Sequence, residues 1–526
     1  MRVLLLVPTH KYTTSYPALL SVSDFPSGLA YIAASLKKAG YEVTGLNLNN
    51  ILTYKNAHDM VTNEISKALE TKYDLIGIGG ICIDYPFIRD AMEVIRLFTR
   101  TPVVLGGGII NNDHEFVFNL LKPDYCIIGE AEDTIVSLCN ALESGSSLES
   151  IDNLGYWDDG AKFTKLNYTY GNINERPFPD YEVFNIKEMV DKYSIATRVT
   201  YRYPREYPRP FIITTARSCP FKCTFCTAHP SKYRVRSIEN IMDEIKELYE
   251  TYEFNILIIQ DELFAVNKKR MYEFCIELLK KKQEYGWDFN WMFQTHASSN
   301  LDDALLSLAK KTGCFFFSYG LESGSPKVLE SMNKKTDIEQ VIQAINLANE
   351  VHIGFGGNLI FGDTAETKDT ILETLDFYQQ YCYSSMVFMS DVRPYPGSSL
   401  FEYCLEKGII TDKVDFYEHI DKNIYNMTSM PDNEYYSWLN FISMLEQMWL
   451  MVKTVDAYKW EQCELIESLK AHVYKVHTVC PYCGSSITYR QIFGGDVKGT
   501  RTHLGTGCTK CNKRIRVNLK EKYYVG

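Results

Sequence analysis

The chain has 526 residues, 45% of them hydrophobic and 23% charged, which is enough for about three or four globular domains. The formal net charge of −11 argues against a broad nucleic-acid-binding surface, so we expect no nucleic-acid partner. The apolar run from Met1 to Pro8 is too short for a signal peptide, and no stretch reaches the roughly 18 apolar residues of a membrane span. Fifteen cysteines in this setting predict a cytoplasmic protein whose thiols bind metals rather than form disulfides.

Residues 1–145 alternate short apolar runs with segments of helical periodicity. Ser27 to Lys38 is predicted to be an amphipathic helix, with Ser27 as its N-cap and Gly40 beyond its end. The predicted strands are Val3–Val7, Glu42–Leu46, Leu75–Gly79, Val103–Gly106 and Tyr125–Ile128. Strands with helices between them predict an α/β fold with a doubly wound, Rossmann-like parallel sheet, whose ligand lies beyond the carboxyl ends of the strands.

The residues that follow these strands are mostly glycines, which let a bulky ligand approach the backbone. No G-x-G-x-x-G motif follows the first strand, so a dinucleotide is not predicted. The candidate ligand-binding residues at the strand ends and at the start of the first helix are His10, Ser27, Gly80, Gly106, Gly107, Gly108, Gly129 and Glu130.

Three short motifs in this region resemble the cobalamin-binding module that precedes many radical S-adenosylmethionine (SAM) cores. They are Phe25-Pro-Ser-Gly-Leu-Ala30, Val104-Leu-Gly-Gly-Gly108 and Asp124-Tyr-Cys-Ile-Ile-Gly-Glu130. The resemblance implies that the strand-end residues bind cobalamin. No D-x-H-x-x-G motif occurs, and Asp113-His114 has the wrong spacing, so cobalamin would have no protein histidine on its lower face. The alternative is a flavodoxin-like regulatory domain without a cofactor.

Residues 146–210 are predicted to be a connector, because their proline density favours extended chain over helix or sheet interior. Arg202, Arg205 and Arg209 in this segment are expected to be solvated rather than bound to an anion.

Cys219, Cys223 and Cys226 have the spacing C-x₃-C-x₂-C and follow the apolar run Phe211–Thr215. Three thiolates hold three irons of a [4Fe-4S] cluster and leave the fourth iron open to a reactive ligand. Chance, or a zinc site completed by His229, is the alternative. With Phe225 inside the triplet, the loop resembles that of the radical SAM superfamily, which implies that SAM chelates the open iron.

Residues 211–404 show a second alternation of strands and helices. The predicted strands are Phe211–Thr215, Ile256–Gln260, Phe289–Gln294, Cys314–Tyr319, Asn358–Phe361 and Met386–Met389. They predict a partial (β/α)₆ barrel with its chemistry at the carboxyl ends of the strands. Gly320-Leu-Glu-Ser-Gly-Ser325 and Pro394-Tyr-Pro-Gly-Ser398 resemble motifs of cobalamin-dependent radical SAM enzymes.

This resemblance implies roles for several side chains at the strand ends. Asp261 and Glu262 would meet the SAM ammonium group, and Glu322 and Ser323 would bond the ribose hydroxyls. Gln294 or His296 would contact the SAM carboxylate or the substrate, and Phe225 would pack on adenine. The alternative for the acidic residues is helix capping, and the alternative for Phe225 is filling of the core.

The remaining chain is predicted to form a helical region, residues 405–475, and a small zinc ribbon, residues 476–526. Cys480-Pro-Tyr-Cys483 and Cys508-Thr-Lys-Cys511 are two C-x₂-C turns separated by 24 residues, which is typical of a closed tetrahedral zinc site. Rubredoxin-like iron is the second choice. The ribbon cations, which are expected to be solvated unless they bind a polyanion or a carrier protein, are Lys510, Lys513, Arg514 and Arg516.

Together the resemblances imply reductive cleavage of SAM to a 5′-deoxyadenosyl radical and methyl transfer from cobalamin. The sequence therefore predicts a cobalamin-dependent radical SAM C-methyltransferase for an unactivated carbon, with a small-molecule or carrier-bound substrate and a flavodoxin or ferredoxin type reductant. One alternative is a cyclase, rearrangement or dehydration enzyme with the same cofactors. Another is a cofactor-sensing or scaffold protein, although such a protein has no need of an open iron.

Overall fold

The structure is a computed structural model that describes all residues except 10–24, 52–53, 55, 194–204, 206–207, 228–229, 300, 449–451, 467–470, 495–502, 520–523 and 526. It divides into two compact units. The first comprises Met1–Met189, Cys226–Ser231 and Pro394–Asn423, and the second comprises Val190–Phe225, Lys232–Arg393 and Ile424–Gly526. Within the described ranges, we find no helix that is both long and apolar enough to cross a bilayer.

The first unit contains a seven-stranded sheet with the order β2-β1-β3-β4-β5-β6-β7. Its first five strands are parallel, and their apolar side chains are mostly buried because helices cover a doubly wound sheet on both faces. The strands are β1 Arg2–Val7, β2 Glu42–Asn47, β3 Leu75–Gly79, β4 Val103–Gly106, β5 Tyr125–Ile127, β6 Leu154–Trp157 and β7 Ala161–Phe163. The predicted parallel α/β sheet is thus confirmed.

The last two strands, β6 and β7, lie in the predicted connector and join the sheet antiparallel. Asp159 and Gly160, in the turn between them, both have positive φ, the conformation that Asp-Gly sequences favour in hairpins. The sequence analysis overlooked this turn signal, so its boundary at residue 145 falls inside the sheet as the structure has it.

The second unit is built on six parallel strands in the order β15-β14-β13-β12-β11-β8. This sheet confirms the predicted partial barrel, with strand ends shifted by a few residues. A two-stranded antiparallel pair, β9 with β10, lies between the first two sheet strands in the chain. The strands are β8 Pro210–Ile213, β9 Ala216–Arg217, β10 Arg234–Val235, β11 Ile256–Ile259, β12 Asn290–Thr295, β13 Cys314–Glu322, β14 Gly354–Phe361 and β15 Met386–Asp391.

The C-terminal part of the second unit contains two small sheets, with the orders β16-β21-β20 and β19-β18-β17-β22. They begin well before residue 476, so the predicted helical region is too long. The segment His472–Val479 is rich in valine, threonine and tyrosine, residue types that favour strands, and this composition was not used in the prediction. The strands are β16 Thr454–Asp456, β17 Lys459–Ile466, β18 Ala471–Val479, β19 Ser486–Gly494, β20 His503–Gly507, β21 Arg514–Asn518 and β22 Tyr524–Val525.

Helix α1 illustrates how the sequence sets the ends of the helices. Pro26, not Ser27, occupies its N-cap position, so the predicted N-cap was wrong by one residue, while Gly40 follows the helix with a φ of +90°, as a terminating glycine does. The helices are α1 Ser27–Lys38, α2 Ala57–Ala68, α3 Tyr85–Phe98, α4 Gly108–Leu121, α5 Glu132–Ser144, α6 Ile186–Tyr193, α7 Ile238–Tyr252, α8 Lys268–Tyr285, α9 Asp303–Lys311, α10 Pro326–Ser331, α11 Ile338–Glu350, α12 Lys368–Phe377, α13 Ser399–Glu406, α14 Lys413–Glu418 and α15 Asp432–Met448.

Candidate functional site

The cysteine loop starts at the carboxyl end of β8 and is fixed at its base. Strand β9, just before the loop, pairs antiparallel with β10, just after it. Ser218, directly before Cys219, has a φ of +70°, a left-handed conformation that a residue other than glycine adopts only when its surroundings hold it. The loop therefore leaves the sheet in a fixed direction.

Asp261, after β11, anchors this base rather than facing an open site. One carboxylate oxygen accepts hydrogen bonds from the backbone N–H groups of Thr215 at 2.5 Å and Ala216 at 2.9 Å, and the other accepts from the Thr215 hydroxyl at 2.5 Å. The residue is 4% exposed, and burial raises the pKa of Asp261 against the effect of these bonds. Because both oxygens are engaged, the geometry favours an anchoring role over the predicted contact with the SAM ammonium.

Arg270 of α8 completes this anchor from the helix side. One of its Nη atoms donates to the backbone oxygen and to the hydroxyl oxygen of Thr215, at 3.1 Å each. Burial lowers the pKa of Arg270, and the charge of Asp261 opposes that shift. Thr215 thus lies between a buried acid and a buried base, a pairing that sequence spacing alone does not show.

The upper part of the loop is held by the segment that follows α10. The Thr224 N–H donates to the Met332 carbonyl at 3.1 Å, and the Asn333 amide donates to the Lys222 carbonyl at 2.7 Å. Asn333 has a φ of +52°, a left-handed backbone conformation that lets its side chain reach the loop. The loop is therefore fixed both at the end of β8 and by the segment that follows α10.

Outside the ribbon, the loop cysteines and Cys463 are the described cysteines that are not buried: Cys219 and Cys223 are half-buried and Cys226 is exposed. Phe225 is half-buried between the last two loop cysteines. Burial raises the pKa of Cys219 and the pKa of Cys223, so a bound metal would have to supply their deprotonation.

Lys334 and Glu322 form an ion pair of 2.8 Å beside the loop, with side chains only 6% and 10% exposed. Glu322 has a φ of +62° at a register shift between β13 and β14, which turns its carboxylate back over Gly320. A Cβ atom on Gly320 would lie 2.5 Å from that carboxylate and 2.6 Å from the Lys334 ammonium, so this position requires glycine. Lys334 also acts to lower the pKa of Cys223, although burial outweighs it.

Ser323 follows Glu322 but is turned away from an open site. Its hydroxyl bonds that of Thr374 in α12 at 2.9 Å and accepts from the Ser325 N–H at 3.0 Å, and the residue is 2% exposed. These bonds fix the turn into α10. The geometry therefore favours a structural role for Ser323 over the predicted ribose contact, whereas Glu322 stays near the loop.

Gln294 and Glu262 are the two exposed members of the predicted set. The Gln294 side chain, at the end of β12, donates to the Glu262 carbonyl at 3.4 Å. Glu262 is near enough to Cys219 to raise its pKa, after the larger effect of burial. Both side chains are thus exposed beside the loop.

His296 lies beneath the loop, with its ring stacked on Phe221 at a centroid distance of 4.1 Å. Its Nδ1 lies 2.7 Å from the Ser298 hydroxyl oxygen and 3.2 Å from the Ser298 backbone nitrogen. Burial lowers the pKa of His296 to about 4, and the Lys334 charge adds to this effect. His296 is 2% exposed, and its described ring contact is with Phe221 of the loop.

A row of residues across β13, β14 and β15 shares one face of the sheet, and the sequence analysis missed most of it. Gly320, Asn358 and Phe388 are aligned in register, and aligned residues of parallel strands point to the same side. Asn358 and Phe388 are exposed in strands that are otherwise largely buried. This face, which also holds the Lys334–Glu322 pair over Gly320, is hereafter the inner face.

At the carboxyl end of β14, Glu366 is buried beside Gly362, whose N–H it accepts at 3.2 Å. Burial raises the pKa of Glu366 to about 7. The hydroxyl of Tyr435 in α15 packs directly against Gly362. A Cβ atom added to Gly362 would lie 2.2 Å from that hydroxyl oxygen, so there is no room for a side chain at this position. Glu366 and Tyr435 thus close over the end of β14.

In the first unit, the glycines predicted to bind cobalamin meet at the carboxyl ends of β3 and β4. A Cβ atom on Gly107 would lie 2.6 Å from the Gly80 carbonyl, so these two turns pack backbone to backbone. Among the described residues, a Cβ atom added at Gly106 would have only the Ile127 carbonyl within 4 Å, and the Gly106 carbonyl accepts the Gly80 N–H at 3.3 Å. Ser27 begins α1 next to Gly28, and no described atom would lie within 4 Å of a Cβ atom added there.

Two parts of this edge have protein partners of their own. The Tyr170 hydroxyl would lie 2.1 Å from a Cβ on Gly129 and accepts the Glu130 N–H at 3.0 Å. His10 lies outside the described residues. The open backbone at Gly106 and Gly28, together with the half-exposed Ile81 side chain that packs against Gly108, fits a broad, flat ligand such as a corrin.

Asp113 and His114 have structural roles in the same unit. The Asp113 carboxylate binds Lys413 at 2.7 Å and accepts from the Tyr417 hydroxyl at 3.1 Å. The His114 ring packs edge-on against Phe163 at a centroid distance of 5.0 Å. Both side chains are therefore committed to contacts within the protein.

The ribbon cysteines form a close group. The sulfur atoms of Cys480, Cys483, Cys508 and Cys511 all lie within 4.8 Å of one another, with 3.6 Å between Cys480 and Cys511 and 3.7 Å between Cys483 and Cys508. Four sulfurs around zinc at about 2.3 Å lie about 3.8 Å apart, so the group fits one tetrahedral ion. Among the described side chains no other cluster of potential ligands is as compact.

Comparisons with known proteins match two regions of the chain. Residues 24–139 match the model of the B12 binding domain, and residues 213–378 match that of the radical SAM superfamily. An uncharacterized methyltransferase of Pyrococcus horikoshii is 26% identical over 78% of this chain and 84% of its own. An anaerobic magnesium-protoporphyrin IX monomethyl ester cyclase of Rubrivivax gelatinosus is 27% identical over 82% of this chain and 74% of its own.

Two solved structures share the fold. The radical SAM methyltransferase TsrM of Kitasatospora setae, solved with cobalamin and a [4Fe-4S] cluster, has a TM-score of 0.60 and 18% identity, over 77% of this chain and 75% of TsrM. The cobalamin-dependent SAM radical enzyme OxsB has a TM-score of 0.59 and 18% identity, over 85% of this chain and 61% of OxsB.

Proposed function

We propose, from the premise that this chain is a radical SAM enzyme with a B12-binding domain, that it is a cobalamin-dependent methyltransferase for an unactivated carbon. The two domains imply a [4Fe-4S] cluster, SAM and cobalamin as cofactors. When bound, the cluster and SAM supply hydrogen-atom abstraction, and cobalamin supplies a methyl group. The observation that carries the proposal is a loop of three accessible cysteines in a chain that also has a B12-binding domain.

In this proposal Cys219, Cys223 and Cys226 each hold one iron of the cluster and leave the fourth to SAM. Glu322 and Lys334 lie beside two of these cysteines and offer one negative and one positive group to a zwitterionic ligand. Glu262 and Gln294, both exposed, are the further polar contacts, and Phe225 supplies an aromatic surface for adenine.

Asp261 and Ser323 have a different part in the proposal, because their hydrogen bonds are already filled. They hold the two turns from which the loop and Glu322 project. The inner face, with Asn358 and Phe388 exposed, offers a mixed polar and aromatic surface on which a substrate can lie.

In the first unit we propose cobalamin at the edge formed by Gly80, Gly106, Gly107 and Gly108. Ser27 at the start of α1 and Glu130 after β5 would complete that edge. Neither Asp113 nor His114 is placed to serve as an axial ligand, because both have partners within the protein. For the ribbon we propose zinc, since the sulfur spacing suits a single closed ion.

A second candidate is a cyclase that uses the same cofactors, because relatives named as cyclases match as large a share of the chain as the relative named as a methyltransferase. The two candidates differ in whether a methyl group leaves SAM in every turnover. They share the need for an electron donor, for which we propose a flavodoxin or a ferredoxin.

The test is anaerobic incubation of the reconstituted full chain with SAM that carries a deuterated methyl group, a chemical reductant and a small-molecule extract. A methyltransferase forms 5′-deoxyadenosine and more than one equivalent of S-adenosylhomocysteine per cobalamin, with the label in a product. A cyclase forms 5′-deoxyadenosine without the label in a product. If neither nucleoside product forms, the enzymatic proposal fails.

A further inference from the structure

The three residues that follow the last ribbon cysteine all dock on the six-stranded sheet or its helices. The Asn512 amide donates to the His352 carbonyl at 3.0 Å, the Lys513 ammonium donates to the Asn349 amide oxygen at 2.5 Å, and the Arg514 N–H donates to the Ser384 carbonyl at 2.7 Å. Two of the four ribbon cations expected to be solvated are therefore engaged with the radical SAM domain.

Arg514 makes the deepest of these contacts. It is fully buried, and its guanidinium donates to the Val387 carbonyl at 3.2 Å and pairs with Glu446 of α15 at 2.8 Å. The guanidinium carbon also lies 5.0 Å from the centroid of the Phe388 ring, within the range of a cation–π contact. One side chain of the ribbon thus joins β15, α15 and the inner face.

The metal-binding turn sets the direction of this docking segment. The Asn512 N–H donates to the Cys508 carbonyl at 2.9 Å, the Cys508 N–H donates to the Lys513 carbonyl at 2.9 Å, and Asn512 has a φ of +56°. The turn and the docking segment therefore share two hydrogen bonds, and closing the turn around an ion fixes the segment as well. Asn512 also packs on Gly354. A Cβ atom added to Gly354 would lie 3.3 Å from the Cβ of Asn512.

Phe388 connects Arg514 of the ribbon to the inner face. It is exposed on the inner face, aligned in register with Asn358, which is aligned in turn with Gly320 under the Lys334–Glu322 pair. A ring supported on one side and exposed on the other is a suitable platform for a ligand.

We propose that the metal-bound ribbon is a part of the radical SAM active site, and that Arg514 is a positioning residue that holds Phe388 on the inner face. The inference rests on the proposed function for the identity of the ligand, but not for the coupling between the ribbon and β15. It assigns the ribbon a role beyond its own stability. It also predicts that losing the ribbon metal disturbs β15 while leaving distant strands of the same sheet intact.

The test compares zinc content and hydrogen exchange in the full chain for Arg514→Met, Arg514→Lys, Cys508→Ser and Lys510→Ala. Lys510 is exposed between the metal-binding cysteines, so its variant is the matched control. We expect Arg514→Met to keep zinc while exchange at residues 386–391 rises at least tenfold. Arg514→Lys recovers part of this protection, because it retains a charge for Glu446. Cys508→Ser loses zinc and shows the same rise, and residues 256–259 of β11 stay protected in all variants.

A kinetic measurement separates positioning from simple support. The inner face also holds the Lys334–Glu322 pair that we propose to meet SAM. Phe388→Leu and Arg514→Met should therefore both raise the KM for SAM in reductive cleavage several-fold with little change in kcat, and only Arg514→Met should change the exchange of β15. Unchanged exchange at β15 in Arg514→Met or in Cys508→Ser would overturn the inference. Loss of protection at β11 as well would overturn it too, because the ribbon would then merely support the whole sheet. Zinc content and exchange are informative even if the methyltransferase proposal fails.

Discussion

The two cysteine sites of this chain differ in how completely the protein prepares them. In the ribbon, the sulfur atoms lie at the spacing of a single ion, and backbone N–H groups of Tyr482 and Lys510 point at Cys480 and Cys508 at 3.4 Å and 3.3 Å. In the loop, Cys219 and Cys223 are half-buried and Cys226 is exposed. The protein there fixes the base of the loop instead, through Asp261 and Thr215.

This difference follows from what each metal is for. A structural ion contributes to folding by closing all its ligand positions, so its site is compact and partly buried. A catalytic cluster must keep one position open, and the protein can place only three ligands and the groups around them. Changes at the loop should therefore remove chemistry at little cost in stability, and changes in the ribbon should do the reverse.

The largest effect is expected for Cys219→Ala, which removes one of three iron ligands. Formation of 5′-deoxyadenosine from SAM should become undetectable, while the thermal unfolding midpoint of the metal-free protein changes little, because Cys219 is only half-buried. Chromatographic product analysis measures the 5′-deoxyadenosine, and differential scanning calorimetry measures the unfolding midpoint. Cys463→Ala is the matched control, since Cys463 is exposed and belongs to neither site. Residual cleavage at the wild-type rate in Cys219→Ala would contradict the cluster assignment.

Cys480→Ala should have the opposite profile. It leaves three thiols for a closed site, so the bound metal should be lost together with about 4 kcal/mol or more of unfolding free energy. Elemental analysis and denaturant unfolding of the full chain measure these two changes. Unaltered metal content and stability would show that the ribbon assignment is wrong, and Lys510→Ala controls for surface changes in the same turn.

The sequence predicts both cysteine sites because each metal fixes the spacing of its ligands along the chain, and the structure brings the four ribbon sulfurs together. It also revealed the two parallel sheets, since their strands are continuous apolar runs such as Ile256–Ile259, followed by glycine or acidic residues. It did not separate Asp261, which anchors Thr215, from Glu262, which is exposed, because adjacent residues differ only in the direction that the backbone gives them.

Contacts between residues far apart in the chain were beyond sequence reasoning. The pairing of Lys334 with Glu322 depends on the positive φ of Glu322, which the sequence does not show. Arg514 looked like one more surface cation of a basic tail, yet it is fully buried against β15 and α15. Neither pairing leaves a periodic signal, because each joins one position on one element to one on another.

Lys334→Met tests whether the ion pair beside the loop contributes to SAM binding as well as to stability. Removing the ammonium leaves the Glu322 carboxylate unpaired in a nearly buried position, which should cost about 3–5 kcal/mol of unfolding free energy. SAM affinity should fall by about tenfold, the equivalent of one charged contact. Equilibrium binding to the reconstituted protein and denaturant unfolding give the two numbers.

The double variant Lys334→Met with Glu322→Leu separates the two effects. Replacing both partners by apolar groups should restore most of the stability, because no unpaired charge remains. It should not restore SAM affinity. If SAM binds the double variant as tightly as the wild type, the ion pair serves the fold alone.

The smallest expected effect is a pH dependence of the protein's stability. It arises at the end of β14, outside both cysteine sites. Burial raises the pKa of Glu366 to about 7, from 4.5 in the unfolded chain. Between these values the folded protein holds a proton that the unfolded chain releases, so stability falls as the pH rises from about 4.5 to 7 and is level above it. The change should be about 2–3 kcal/mol, the free energy equivalent of that shift for a group that is not completely buried.

Glu366→Gln removes this titration and keeps an oxygen to accept the Gly362 N–H. The variant should therefore gain stability over the wild type at pH 8 and lose that advantage at pH 5, as measured by thermal unfolding at the two pH values. Glu373→Gln, an exposed change in the helix α12 that follows Glu366, should show a much smaller difference, because the charge of Glu373 is only a minor cause of the raised pKa of Glu366. If the wild type and Glu366→Gln have parallel pH profiles, the Glu366 carboxyl titrates as a solvated acid, and the end of β14 is open to water rather than closed by Tyr435 of α15.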